Sequence, residues 1–178
     1  MVAAVIVLVL IVAVGTRAIQ LWSSGRLSSP GRVPYGVGLT MPISEPRLIG
    51  IGILCSRGTG VVEVTGVRWL RGADLAISRF TVVKLAVGDV TMGEVTGSLQ
   101  SQGYLEQHSV VDVTCGSWVI GDPAFQLILE IPSSDEMTGV TGTDLEITYR
   151  VDGGPVGTWV EPFSLSLCGA NNPDDPGC

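Results

Sequence analysis

The chain contains a single histidine, and one aspartate near it could share a catalytic task. His108 and Asp112 have the same outward parity in one predicted strand, and serines are plentiful. A serine, a histidine and an aspartate can form a hydrolytic triad, because triads assemble in space rather than along the sequence. No serine stands in a GxSxG nucleophile motif, however, and His108 lies in the ordinary strand beginning QGYLEQHSV. We therefore predict a solvated surface histidine, no catalytic residues and no enzymatic activity.

Acidic and amide side chains near the C-terminus suggest a cation site. Asp174 and Asp175, beside Asn171 and Asn172, offer the oxygen ligands that calcium prefers. Their spacing is not that of a calcium-binding loop, and the sequence contains no P-loop, dinucleotide fingerprint or HExxH motif. We therefore predict an acidic tail with no metal site, and no cofactor.

Three tryptophans could form an exposed aromatic patch for a small ligand. Trp69, Trp118 and Trp159 lie in or near predicted strands. Tryptophans on alternating strands usually fill the core, since each buries a large apolar surface. We therefore expect a core role for them.

Four cysteines predict structural disulfides. Neither a CxxC motif nor a Cys/His cluster is present, which argues against redox exchange and metal binding. Sequence alone leaves three pairings open. Strand parity places Cys55 and Cys115 on inward faces, whereas Cys168 points outward just before the tail that ends in Cys178. This favours a Cys55–Cys115 bridge between two sheets across the core, together with Cys168–Cys178, although one bulge would reverse a parity.

The charge pattern excludes nucleic-acid binding. The net charge is −7, and Lys84 is the only lysine among ten basic residues. The arginines are scattered singly, whereas a nucleic-acid interface needs a concentrated basic surface to displace counterions from phosphates.

The elements that must position these residues are short apolar runs separated by turn signals. In LEITYRV and FQLILEI, apolar and polar residues alternate, which indicates strands with one face in a core and the other in water. The alternation in VVEVTGVRWL breaks at Gly66, which predicts a bulge. No helical period follows the first segment. The pattern predicts an antiparallel β-sandwich of about seven to nine strands, with a barrel as the alternative. The other predicted strands are VPYGVGLT, RLIGIGILC, ISRFTVVKLAV, SVVDVTC and WVEPFSLSLC.

The first residues, MVAAVIVLVLIVAVG, are apolar and uncharged. A helix over residues 1–15 would be about 22 Å long, and its extension to Trp22 would reach about 33 Å, enough to span a membrane. Ala13-Val14-Gly15 also has the form of a signal-peptidase site, so a cleaved signal peptide is the alternative. We favour an anchor at residues 1–22, followed by a flexible linker at 23–34, the β-sandwich domain at 35–168 and a C-terminal tail at 169–178.

Two signals disagree on the side of the membrane that carries the domain. Arg17, Arg26 and Arg32 follow the apolar segment, which by the positive-inside rule places the domain in the cytoplasm. Four cysteines in a small β-rich chain instead fit an oxidising compartment. We give the cysteines more weight and predict a single-pass protein of the cell membrane with an extracytoplasmic domain, the alternative being a secreted protein.

The layout resembles small envelope proteins of high-GC Gram-positive bacteria. The resemblance rests on MVAAVIVLVLIVAVG, the preference for arginine over lysine, YGVGLTMPI at the start of the domain, and LEITYRVDGG…FSLSLC at its end. It implies a signal anchor followed by an immunoglobulin-like sandwich outside the membrane. We therefore expect a protein-interaction module or an accessory subunit of an envelope complex, whose partners are the membrane and another envelope protein. The alternative is a module that binds a small ligand, a carbohydrate or a metal.

Overall fold

The computed structural model describes residues 26–29, 34–40, 42–85, 93–104, 109–115, 124–134 and 139–169. Every regular element in these ranges is a β-strand, which confirms the all-β prediction. No helix in the same ranges is long and apolar enough to cross a membrane. The strands are β1 (Arg26–Ser28), β2 (Tyr35–Thr40), β3 (Arg47–Arg57), β4 (Val62–Arg71), β5 (Arg79–Leu85), β6 (Glu94–Thr96), β7 (Val110–Val111), β8 (Ala124–Ile131), β9 (Val140–Val151) and β10 (Val156–Cys168).

The strands form two five-stranded sheets. The first sheet has the order β1-β3-β8-β5, and β6 also pairs with β3. The second sheet has the order β2-β10-β9-β4-β7. All the neighbouring strands are antiparallel except β2 and β10, which run in the same direction. Each of the eight predicted runs contains a strand, but β1 and β6 were not predicted, so the described residues form ten strands rather than seven to nine. The parallel pair also departs from the predicted antiparallel arrangement.

One hydrophobic core is shared by both sheets. Leu127 and Leu129 of β8 belong to the same buried cluster as Leu145 and Ile147 of β9. Each side chain of this size stabilises the fold by about 1.5–3 kcal/mol when it leaves water. The sheets are therefore held together by their facing apolar surfaces.

Strand β9 alternates as predicted, and the predicted bulge in β4 is present. Leu145, Ile147 and Tyr149 are buried, whereas Arg150 is exposed. The register of β4 against β9 shifts between Val64 and Gly66, as the broken alternation indicates. In these strands a local sequence pattern was enough to identify the core face.

Strand β8 corrects the expectation that its polar face lies in water. All eight of its residues are buried, including Gln126 and Glu130. The reason is a cover segment, residues 93–104, which begins with β6 on β3 and then packs against the outer face of the first sheet. There Leu99 forms a second small cluster with Leu48 and Ile128.

The buried Glu130 carboxylate is held by two donors. The Ser78 hydroxyl donates to Oε1 at 2.8 Å, and the backbone N–H of Leu99 donates to Oε2 at 2.7 Å. A buried carboxylate is tolerated only when such hydrogen bonds replace its hydration. Glu130 therefore positions the cover segment through a polar contact in an otherwise apolar interface.

Strand β1 lies inside the predicted linker at 23–34. Leu27 and Ser28 are buried, and Leu27 belongs to the main core. Arg26–Ser28 pair with Arg57, Ser56 and Cys55 of β3. Three residues are too few to show a strand period, and the surrounding Ser, Gly and Pro suggested a tether. Residues 26–28, which were predicted to be part of a flexible linker, therefore belong to the first sheet.

Glu130→Ala should destabilise the domain by about 1–3 kcal/mol, because the N–H of Leu99 then loses its acceptor in a buried site. Urea unfolding of the full chain measures this loss. The matched control is Glu63→Ala, which removes an exposed carboxylate and should change stability by less than about 0.5 kcal/mol. Equal effects of the two substitutions would show that Glu130 does not hold the cover segment.

Candidate functional site

The Cys55–Cys115 disulfide is present, but it does not cross the core as parity predicted. The register of β3 against β8 shifts between Ile51 and Ile53, so Gly52 forms a bulge in β3. Beyond this bulge Leu54 lies opposite Phe125 and belongs to the main core, so Cys55, which is also buried, lies on the other face of β3. The bulge therefore reverses the predicted parity of Cys55, although both the pairing and its separation of 60 positions are as expected.

The disulfide instead fixes a bridging segment, residues 109–115, which binds both sheets. Its first part pairs with β4 of the second sheet, where Val62 lies opposite Val111. Its last part bonds to β3 of the first sheet, where the N–H of Ser56 donates to the carbonyl of Val113 at 2.7 Å. Val111 is fully buried between them. The bridging segment thus closes one end of the core, and Cys115 ties it down.

The other predicted residues are placed only in part. Asp112 is exposed and lies 3.5 Å from Lys84 Nζ, in a surface ion pair. Cys168 is disulfide-bonded. Its predicted partner Cys178 lies outside the described residues, as do His108, Trp118 and the tail residues Asn171, Asn172, Asp174 and Asp175.

The described residues contain no group of three or more His, Cys, Asp or Glu side chains placed to hold a metal ion. Trp69 is buried in the core and stacks against Phe163, with ring centroids 6.0 Å apart. Trp159 packs against the same core. These two tryptophans therefore fill space in the core, as predicted from the sequence.

An inter-sheet polar cluster, formed by Tyr35, Gly52, Trp159 and Glu161, is the main buried polar feature that sequence reasoning missed. Glu161 lies opposite Leu145 in the register of β10 and β9, so its carboxylate points to the core side and is only 2 % exposed. The indole N–H of Trp159 donates to Glu161 Oε2 at 3.2 Å. The cluster therefore places a carboxylate between the sheets.

Tyr35 connects this cluster to the first sheet. Its hydroxyl accepts a hydrogen bond of 2.6 Å from the N–H of Gly52, while its ring lies 5.0 Å from that of Phe163. Gly52 has a φ of +43°, and a Cβ there would lie 3.2 Å from Glu161 Oε1. Glycine is therefore required at this bulge both for its backbone conformation and for the space that the carboxylate occupies.

The environment of Tyr35 favours its neutral form. Burial of the phenol, the nearby negative charge of Glu161 and the opposing hydrogen bond from Gly52 together raise the pKa of Tyr35 to about 12. Neutral phenol is the better partner in this position, because phenolate would face a carboxylate in a partly desolvated space. The cluster joins the two sheets, with the Glu161 carboxylate buried and Tyr35 partly exposed at its edge.

The outer face of the second sheet, which we call the open face, contrasts with that of the first. No described segment packs over it, and Glu63, Arg68, Arg150 and Thr158 are exposed along it. Two ion pairs join β4 to β9 there, Arg68 with Glu146 at 2.6 Å and Arg71 with Asp144. The open face is thus a largely polar surface rather than a cavity, with Val156 also exposed on it opposite Arg150.

Little in the sequence could have revealed these features. Gly52 is one of two glycines that interrupt RLIGIGILC, and nothing in the pattern says which of them carries the bulge. The cover segment is short and its apolar residues are irregularly spaced, so it gives no periodic signal.

No protein-family model matches the chain, and no curated protein is significantly similar to it in sequence.

Tyr35→Phe should remove the phenol that ionises near pH 12. In the unfolded chain tyrosine ionises near pH 10, so the stability that this shift contributes is present below pH 10 and is lost as the pH rises to about 12. Ultraviolet titration of phenolate measures the ionisation, and unfolding at increasing pH measures its linkage to stability. In the control Tyr104→Phe, the ionisation near pH 12 should still be observed. Its loss in this control would contradict the assignment of that ionisation to Tyr35.

Proposed function

We propose that this protein is a non-catalytic β-sandwich held at the outer side of the cell membrane by residues 1–22, and that it binds another envelope protein through the open face. It acts as an interaction module or as an accessory subunit of an envelope complex. The observation that carries this proposal is the difference between the two outer faces.

In the part of the chain that the structure describes, one outer face is covered by residues 93–104 and the other is exposed. Residues 93–104 cover the outer side of β8, where Leu99 packs against Ile128 and its N–H donates to Glu130. On the second sheet, the described residues leave a five-stranded surface that is polar and joined by ion pairs. Non-obligate protein interfaces are about as polar as the rest of a protein surface, so such a face suits a partner that associates with an already folded domain.

We infer that the sandwich is immunoglobulin-like. The order β1-β3-β8-β5 corresponds to strands A-B-E-D of that fold, and β10-β9-β4 corresponds to G-F-C. The disulfide departs from the arrangement of antibody domains, because Cys115 lies in the connection between β5 and β8 rather than on the strand that pairs with β4. The strand order supports the immunoglobulin-like fold, but a fold alone does not specify a function.

The cysteines support an extracytoplasmic position. Cys55 and Cys115 are bonded to each other, and Cys168 is also disulfide-bonded. Structural disulfides persist in oxidising compartments and are rare in the cytosol. The apolar residues 1–14, with their extension to Trp22, support the membrane anchor.

Intact-mass measurement tests the anchor and the compartment together. The membrane fraction should yield a full-length species about four mass units lighter before reduction than after it, since two disulfides made from the four cysteines lack four hydrogens. A soluble species that begins near Thr16 would replace the anchor with a signal peptide and a released protein. A full-length species with four free thiols would place the domain in the cytoplasm.

Photo-crosslinking tests the open face. A photoreactive phenylalanine at Thr158, exposed on β10, should form a discrete adduct with a membrane-associated protein in native membranes. Thr158→Arg should then reduce co-purification of that protein by roughly tenfold, the loss expected when a contact of about 1.4 kcal/mol is removed. The matched control is Gln100, which is exposed on the cover segment. Adducts at position 100 with none at position 158 would reject the open face as the binding surface.

A further inference from the structure

The point at which the chain leaves the domain towards the predicted anchor is defined by β1. Arg26 lies opposite Arg57, so β1 begins where β3 ends. Only residues 23–25 separate the predicted anchor from this strand. The Cα atoms of residues 22 and 26 are four steps apart, so they are at most roughly 14 Å from each other even in a fully extended chain. The inference that follows rests on the anchor in the proposed function, and it concerns the end of the domain that such a short connection would hold against the lipid.

This membrane-facing end consists of the loop at 58–61, the turn at 152–155 and β7. The loop and the turn are bonded to each other, since the N–H of Val61 donates to Asp152 Oδ1 at 2.9 Å and the N–H of Asp152 donates to the carbonyl of Val61 at 3.0 Å. β7 lies beside them because Val111 pairs with Val62, the first residue of β4. All three elements are therefore at the end where β1 begins.

Exposed apolar side chains are concentrated at this end. Of the five large hydrophobic residues that are exposed in the described ranges, three lie here: Val61, Val110 and Val156, with exposed fractions of 46, 39 and 55 %. Leu70, at 42 %, lies near the opposite end of β4. Single exposed apolar residues are ordinary, but three on adjoining elements at one end form a surface that favours a less aqueous neighbour.

Arginines surround these valines. Arg26, Arg57 and Arg150 are all exposed, and Arg150 lies opposite Val156 in the register of β9 and β10. The nearby acidic groups are Glu63, opposite Arg150; Asp152, which is engaged by the N–H of Val61; and exposed Asp112 of the bridging segment, which forms an ion pair with Lys84. Basic side chains next to shallow apolar ones suit an anionic lipid surface, where the charges meet phosphates and the apolar groups enter the headgroup layer.

The geometry points to direct docking of this end, through Val61, Val110 and Val156, on an anionic phospholipid surface. The connection of three residues selects lipid as the occupant, because it leaves no room for a folded partner between this end and the bilayer. The bridging segment and the Cys55–Cys115 disulfide lie at the same end, so the docking surface is backed by a cross-linked part of the domain.

The test uses the full-length chain in nanodiscs of phosphatidylcholine and phosphatidylglycerol. Val156→Trp places a fluorescent reporter at the membrane-facing end, and Leu70→Trp places the same reporter at an equally exposed apolar site near the opposite end. Lipids brominated on their acyl chains quench tryptophan at short range. After subtraction of the signal of the four native tryptophans, we expect quenching of the added emission in V156W and none in L70W. Val110→Trp is a second reporter at the docking end.

The outcomes separate this inference from the proposed anchor. If the protein does not co-elute with the nanodiscs, the anchor is wrong and the docking inference falls with it. If it co-elutes but V156W and V110W are not quenched, or are quenched no more than L70W, the anchor stands and the docking is rejected. Loss of the V156W quenching in nanodiscs of phosphatidylcholine alone is expected, and undiminished quenching there would reject the role of the arginines.

Discussion

The bulge at Gly52 is the constraint on which both junctions between the sheets depend. It turns Leu54 into the main core and Cys55 to the opposite face of β3. There the cysteine forms its disulfide with Cys115 of the bridging segment. The same bulge directs its own N–H to the hydroxyl of Tyr35 and leaves room for the Glu161 carboxylate. Gly52, which has no side chain, thus positions two junctions: the Cys55–Cys115 disulfide and the polar cluster around Tyr35 and Glu161.

The sequence was informative where structure is local and not where it depends on partners distant in the chain. Alternation identified β9 and its core face, and the broken pattern located the bulge at Gly66. The identical reasoning failed for β8, since Glu130 is held in a buried site by the N–H of Leu99, some thirty residues earlier in the chain. It also failed for the path of the Cys55 disulfide, because two glycines in one strand offer the same local freedom and only the tertiary contacts of Gly52 distinguish it.

The connection from β5 to β8 gives the two sheets different surfaces. Its residues 93–104 cover the first sheet, and its residues 109–115 bind both sheets at one end. The second sheet keeps a polar outer face with ion pairs between β4 and β9. Within the described residues the two sheets therefore have different outer surfaces, a difference that composition alone could not predict.

The parallel pairing of β2 with β10 determines when the domain can fold. Tyr35 lies opposite Phe163, so β2, the second strand in the sequence, pairs with β10, the last one. Contacts of such large separation form late, because the loop between them must close first. A chain that leaves the ribosome or a translocation channel from its N-terminus therefore holds β2 unpaired until β10 has emerged. Export in an unfolded state and folding on the far side are thus compatible with the topology itself.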